Sequence, residues 1–168
     1  MRSLLFLLIS VSALAAQSVD RENADGVVNA RIIRINYGRP SLGGESSEAR
    51  FAAASVGTVW RLGIDEATEI SSTGDLIVAG KRVPAGRYSL WARKLGPDQW
   101  TLAFHPTTGI WGLPELKEGF VAEVPLEFTH VPSYNDRLLI LIAPQGNDAR
   151  ISIYWGALKL ECVIGVVG

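Results

Sequence analysis

The chain has one cysteine, Cys162, and two histidines, His105 and His130, among 168 residues. A single thiol cannot close an intramolecular disulfide, even in an oxidising compartment. With Val163 and Ile164 beside it, Cys162 reads as a buried, inert thiol rather than a nucleophile. The histidines lie in separate loops, and neither belongs to a short-spaced pair such as His-x-His. No metal site and no cofactor are therefore expected. There is no Gly-x-Ser-x-Gly phrase, no evident acid to orient either imidazole, and no Gly-rich phosphate loop. Neither sign of charge dominates: 16 basic and 17 acidic residues give a net charge of -1. No basic run tracks a phosphate backbone, so nucleic acid is not an expected partner.

A sustained apolar run occurs once, at the N-terminus. Residues 4–11 are apolar except for Ser10 and follow Arg2, and Ala13-Leu14-Ala15 supplies small residues for signal peptidase. Residues 1–15 are expected to be a signal peptide cleaved after Ala15, giving a periplasmic or secreted protein. The run is too short for a stable membrane anchor, and no cysteine follows it to carry a lipid. No later stretch is long enough to cross a membrane. Residues 16–26, polar from Asp20 to Gly26, are expected to be a disordered leader. Residues 27–168 then form one domain with a real core.

Amphipathic helical periodicity is also scarce, and a period of two takes its place. Ile33, Ile35 and Tyr37 share one strand face, as do Trp100, Leu102 and Phe104. Phe120, Ala122, Val124, Leu126 and Phe128 form a third such run, where Pro125 marks a sheet edge. Residues 138–142 are apolar on both faces and read as a central, covered strand. Ile151, Ile153 and Trp155 alternate, then Leu158, Leu160, Cys162 and Ile164. Turn residues fall at 79–81, 84–86, 95–98 and 144–148. Short strands punctuated this often predict an all-β, single-domain antiparallel β-sandwich, with a jelly roll among the arrangements allowed. Residues 43–55, rich in Ala, Ser and Glu, are a short helix or a mobile loop.

Three phrases stand out: Ile35-Asn36-Tyr37-Gly38-Arg39-Pro40-Ser41, Val59-Trp60-Arg61-Leu62-Gly63-Ile64-Asp65-Glu66-Ala67-Thr68 and Val83-Pro84-Ala85-Gly86-Arg87-Tyr88-Ser89-Leu90. Together with Gln99-Trp100-Thr101, Ile110-Trp111-Gly112 and Trp155, they resemble the bacterial family called domain of unknown function 2911. The resemblance runs from about Ile35 to the C-terminal strand and implies an exported protein without an established activity. The chain departs from the family pattern at Ile64-Asp65, at His105 and at Leu42-Gly43-Gly44-Glu45.

The phrases bring candidate site residues with them. Glu66 could meet Arg39 or Arg61 in a charge-assisted pair, either as the floor of a ligand site or as a structural tie, and the tie is preferred. Trp91 shares a strand face with Arg87, Ser89 and Arg93, where it either stacks on a ligand or packs. Trp111, in a Gly-flanked loop, is expected to plug the core. Trp60, Trp100 and Trp155 are assigned to the core. The leading expectation is a non-catalytic binding surface of Tyr37, Arg39, Arg61, Glu66, Trp91 and Trp111. Its partner would be a small polar ligand, a glycan fragment or a protein segment of the cell envelope. The alternatives are a hydrolase using Glu66 or His105 and an assembly protein pairing through a sheet edge; a glycosidase carboxylate pair would take its second acid from another loop, such as Glu115 or Asp136.

Overall fold

The computed structural model describes residues 20–112, 116 and 118–168. The expected signal peptide and its cleavage point, like Glu115, lie outside the described residues. Two antiparallel sheets face each other as a β-sandwich. The first carries β1 (Arg21–Val28), β2 (Arg31–Gly38), β4 (Thr68–Ser72), β7 (Gly86–Gly96), β8 (Gln99–His105) and β9 (Ala122–Pro125) side by side. The short β3 (Val59–Trp60) also pairs with β7. The second sheet carries β10 (Glu127–Gln145), β11 (Asp148–Val166), β5 (Leu76–Val78) and β6 (Lys81–Val83), in that order. One helix, α1 (Ser47–Ala53), falls in the segment read as helix or loop.

The alternating runs bury the faces expected of them. Ile33, Ile35, Tyr37, Leu102 and Phe104 meet Ile140, Ile151, Ile153, Leu160 and Ile164 between the sheets. Along β11 the inward residues change from odd to even numbers between Trp155 and Leu158. Gly156, at φ +63°, makes that change in the left-handed region, where a side chain would be strained. It also lets α1 approach, since a Cβ there would stand 2.5 Å from the Ser47 hydroxyl oxygen. Burial pushes the Cys162 thiol up to about 12, so it stays protonated within the core.

Three sequence expectations need correction. Residues 21–26 are no disordered leader. They belong to β1, which pairs with β2 from Arg21↔Gly38 to Val28↔Arg31. Their polarity belongs to the solvent face of an edge strand, where Asp25 pairs with Arg34 at 2.6 Å. The run from Phe120 to Phe128 is not one strand either. The chain leaves the first sheet after β9 and enters the second at β10, with the Leu126 N–H held by the Trp100 carbonyl at 2.9 Å. Finally, residues 138–142 lie at the edge of their sheet rather than its centre, and Leu141 is 46 % exposed. The inward face of this run, Leu138, Ile140 and Ile142, reaches β1, where Ile142 lies over Gly26, and the second apolar face, Leu139 and Leu141, is the outward one.

Candidate functional site

The Trp60–Thr68 phrase forms a tight backbone knot after β3. Leu62 and Asp65 take left-handed φ values of 51° and 63°. For a residue as bulky as leucine this is a genuine outlier, held by its surroundings. The Thr68 hydroxyl donates to the Leu62 carbonyl at 2.7 Å, and the Thr68 N–H donates to the Arg61 carbonyl at 3.1 Å. Glycine is needed next door. A Cβ on Gly38 would stand 2.6 Å from the Ile64 carbonyl oxygen.

Onto this knot the segment after β8 is laid and fixed. The Arg61 guanidinium donates through Nη1 to the carbonyls of Asp65 at 2.7 Å and Gly112 at 2.6 Å. The Ala67 N–H donates to the Ile110 carbonyl at 2.9 Å, and Glu66 and Trp111 form an isolated β-bridge. Further back, the Ser89 hydroxyl donates to the Thr107 carbonyl at 2.8 Å. The Glu69 carboxylate accepts from the Gly109 N–H at 2.6 Å and from Arg87 at 2.5 Å.

This attachment sends consecutive side chains to opposite fates. Ile110 turns inward and, with Val59, Leu116 and Phe120, covers Trp91, Ala67 and Ala103 on the outer face of the first sheet. Trp91 is therefore only 1 % exposed, and its Nε1 donates to the Ser89 hydroxyl at 2.8 Å. It supports the surface from beneath instead of stacking on a ligand. Trp111 is no plug. Its backbone pairs with Glu66 and its ring stands 69 % exposed. Beside it are the exposed Glu66 carboxylate and, 3.9 Å from that carboxylate, Arg21. Arg21 also donates to the Glu66 carbonyl at 3.3 Å and to Asn36 Oδ1 at 2.8 Å.

Arg61, Glu66, Trp91 and Trp111 thus gather at one junction, whereas Tyr37 and Arg39 serve elsewhere. Neither Arg39 nor Arg61 is the partner found for Glu66, because Arg61 turns to backbone carbonyls and Arg39 to another acid. The Tyr37 hydroxyl donates to Glu22 Oε2 at 2.9 Å and accepts from the Ile140 N–H at 3.1 Å. Arg39 pairs with Glu22 at 3.2 Å and donates to the Leu138 carbonyl at 3.1 Å. These side chains satisfy edge groups of β10 and tie the two sheets together. Burial, reinforced by the neighbouring Glu22, pushes the Tyr37 phenol up to about 12. Arg21 and Glu22 were missed at the sequence level because both fall in the stretch read as leader.

The groups named for hydrolysis have other engagements. His105 Nδ1 accepts from the Thr107 N–H at 3.1 Å, and its ring packs edge-on to Phe120 at 5.5 Å. Asp136 caps the turn at Ser41 and accepts from the Gly43 N–H at 3.2 Å. Among the described residues no group of three His, Cys, Asp or Glu side chains could hold a metal ion. Near Pro125 the sheet edge is the four-residue β9, too short to offer a long pairing template. No helix among the described residues is long and apolar enough to cross a membrane.

An all-β sandwich with an aromatic ring and opposite charges fixed on one loop junction is the class of protein defined here. The chain belongs to the family described as protein of unknown function (DUF2911), whose model matches residues 20–164. No curated protein and no solved structure matches it.

Proposed function

We propose that the chain is an exported, non-catalytic binding module of the cell envelope, and that it holds a glycan fragment or similar small polar ligand against Trp111. The observation that carries this reading is the exposure of the Trp111 ring on a backbone that is hydrogen-bonded on both sides of it. A large ring left in water has apolar area free to bury. A ring carried on a backbone already fixed in place costs less to order on binding than one on a free loop. Glu66 and Arg21 offer an acceptor and a donor set beside it, which orient a polar ligand. Strain held at Leu62, directly under the junction, supports the same assignment.

The test is a thermal-shift screen of the chain, Trp111→Ala and Glu66→Gln against sugars, wall fragments and small acids. A ligand at a hundred times its dissociation constant adds about 2.7 kcal/mol to the native state. The expected result is a raised midpoint in the parent chain that is absent in Trp111→Ala and reduced in Glu66→Gln. Equal shifts in all three proteins, or no shift with any compound, would contradict the proposal.

A further inference from the structure

α1 covers one end of the core and leaves a cleft on either side of Phe51. Ser46 caps the helix by accepting from the Ala49 N–H at 3.2 Å. Lys94, on β7, holds the other end. Its ammonium donates to the carbonyls of Phe51 at 3.0 Å, Ala52 at 3.3 Å and Ala54 at 2.8 Å. Phe51 is thereby placed edge-on to Trp60, Trp100 and Phe128, at 5.6, 5.1 and 5.3 Å between ring centroids.

The larger cleft encloses about 250 Å³. Phe51, Trp100, Phe128 and Leu158 give it an apolar lining, and Glu48, Asp98 and His130 bring the ionisable groups. A hydrogen bond from its own backbone N–H, and another from the Ser46 hydroxyl, hold the Glu48 carboxyl below the usual range. His130 Nδ1 lies 3.6 Å from Glu48 Oε1, so a nitrogen heterocycle of the chain itself already sits against this carboxylate. The smaller cleft, about 180 Å³, shares Phe51 and Trp100 but carries Arg50 with Trp60 and Trp155. Arg50 is itself paired with Glu45 at 2.6 Å, so the acidic lining belongs to the larger cleft alone.

We infer that the larger cleft is a second ligand site, separate from the Trp111 surface, and that it takes a small organic cation: a protonated or quaternary amine on a single apolar ring. Two carboxylates select the positive head, and the aromatic lining packs its apolar body. Sites for drug-sized ligands run from about 300 Å³ upward, so this cleft suits one ring with a short head.

Titration of the full chain with benzylamine at neutral pH, where it is protonated, tests the inference beside benzyl alcohol and benzoate as neutral and anionic counterparts. Calorimetry gives the affinities, and NMR shifts give the location. Benzylammonium is expected to bind about tenfold more tightly than benzyl alcohol, with benzoate weakest. Shifts are expected at the Trp100 indole and the Phe128 ring, and not at Trp155. Glu48→Gln and Asp98→Asn should each weaken benzylammonium severalfold. Should Glu48→Gln loosen α1, Asp98→Asn decides, because it lies outside the helix. Trp111→Ala should leave this binding unchanged, which separates the site from the proposed one. Equal affinity for benzylammonium and benzyl alcohol, no binding, or an undiminished affinity in Asp98→Asn would overturn the inference.

Discussion

α1 and the segment through Gly112 are both laid over strand surfaces by a basic side chain that donates to backbone carbonyls. Lys94 closes three carbonyls at the end of α1, and Arg61 joins those of Asp65 and Gly112. The choice of cation follows the geometry. A compact ammonium suits three converging oxygens, whereas a planar guanidinium suits two oxygens on separate segments. The rings carried by the two segments differ in fate. Phe51 is packed into the core, and Trp111 is turned out to water. Fixing a loop and burying its aromatic are thus separate outcomes. An unburied ring on a fixed backbone is the one to suspect of binding.

Several substitutions would sharpen or break this contrast. The largest effect is expected at Lys94, which is only 3 % exposed. Lys94→Met leaves three carbonyls without their donor and should cost about 2–4 kcal/mol in chemical denaturation. An unchanged midpoint would remove Lys94 from its role. Next is Tyr37→Phe, which strips the partner from the Ile140 N–H and should cost about 1–3 kcal/mol at neutral pH. This change also carries a pH signature. The folded phenol titrates at about 12 and the ordinary one at 10.0, so its share of stability is complete below 10.0 and disappears as pH rises through about 12. The phenylalanine variant should lose less stability than the parent across that alkaline window. Arg61→Met should cost about 1–2 kcal/mol and speed amide exchange at Ala67 and Gly112 while leaving α1 unaffected. Trp111→Ala should change stability by no more than about 0.5 kcal/mol, since an exposed ring has little packing to lose.

The strands were legible wherever one face is buried and the other wet. Ile33, Ile35 and Tyr37, and likewise Trp100, Leu102 and Phe104, point inward as their alternation implied. Edges were the weak point. β1 is too polar to announce itself, because its register is supplied by β2 and not by its own apolar content. Residues 138–142 read as a covered strand because Leu139 and Leu141 carry the apolar run onto the outward face, which the second sheet leaves partly open. The site was legible in part for a local reason. Arg61, Asp65 and Glu66 lie within one phrase, and the chain folds back on itself there. Phe51, Trp60, Trp100, Phe128 and Trp155 come from five distant segments, so no local pattern could assemble the α1 end. Which way Trp111 faced depended on its bridge to Glu66, a long-range pairing that its glycine neighbour does not encode.

The most direct measurement is the backbone order parameter of Trp111, from NMR relaxation of the free chain. A value of about 0.85 is expected, like that of the strands, with the indole still open to solvent. A value below about 0.6 would mean that the ring is carried on a moving loop, and would contradict a pre-fixed aromatic contact.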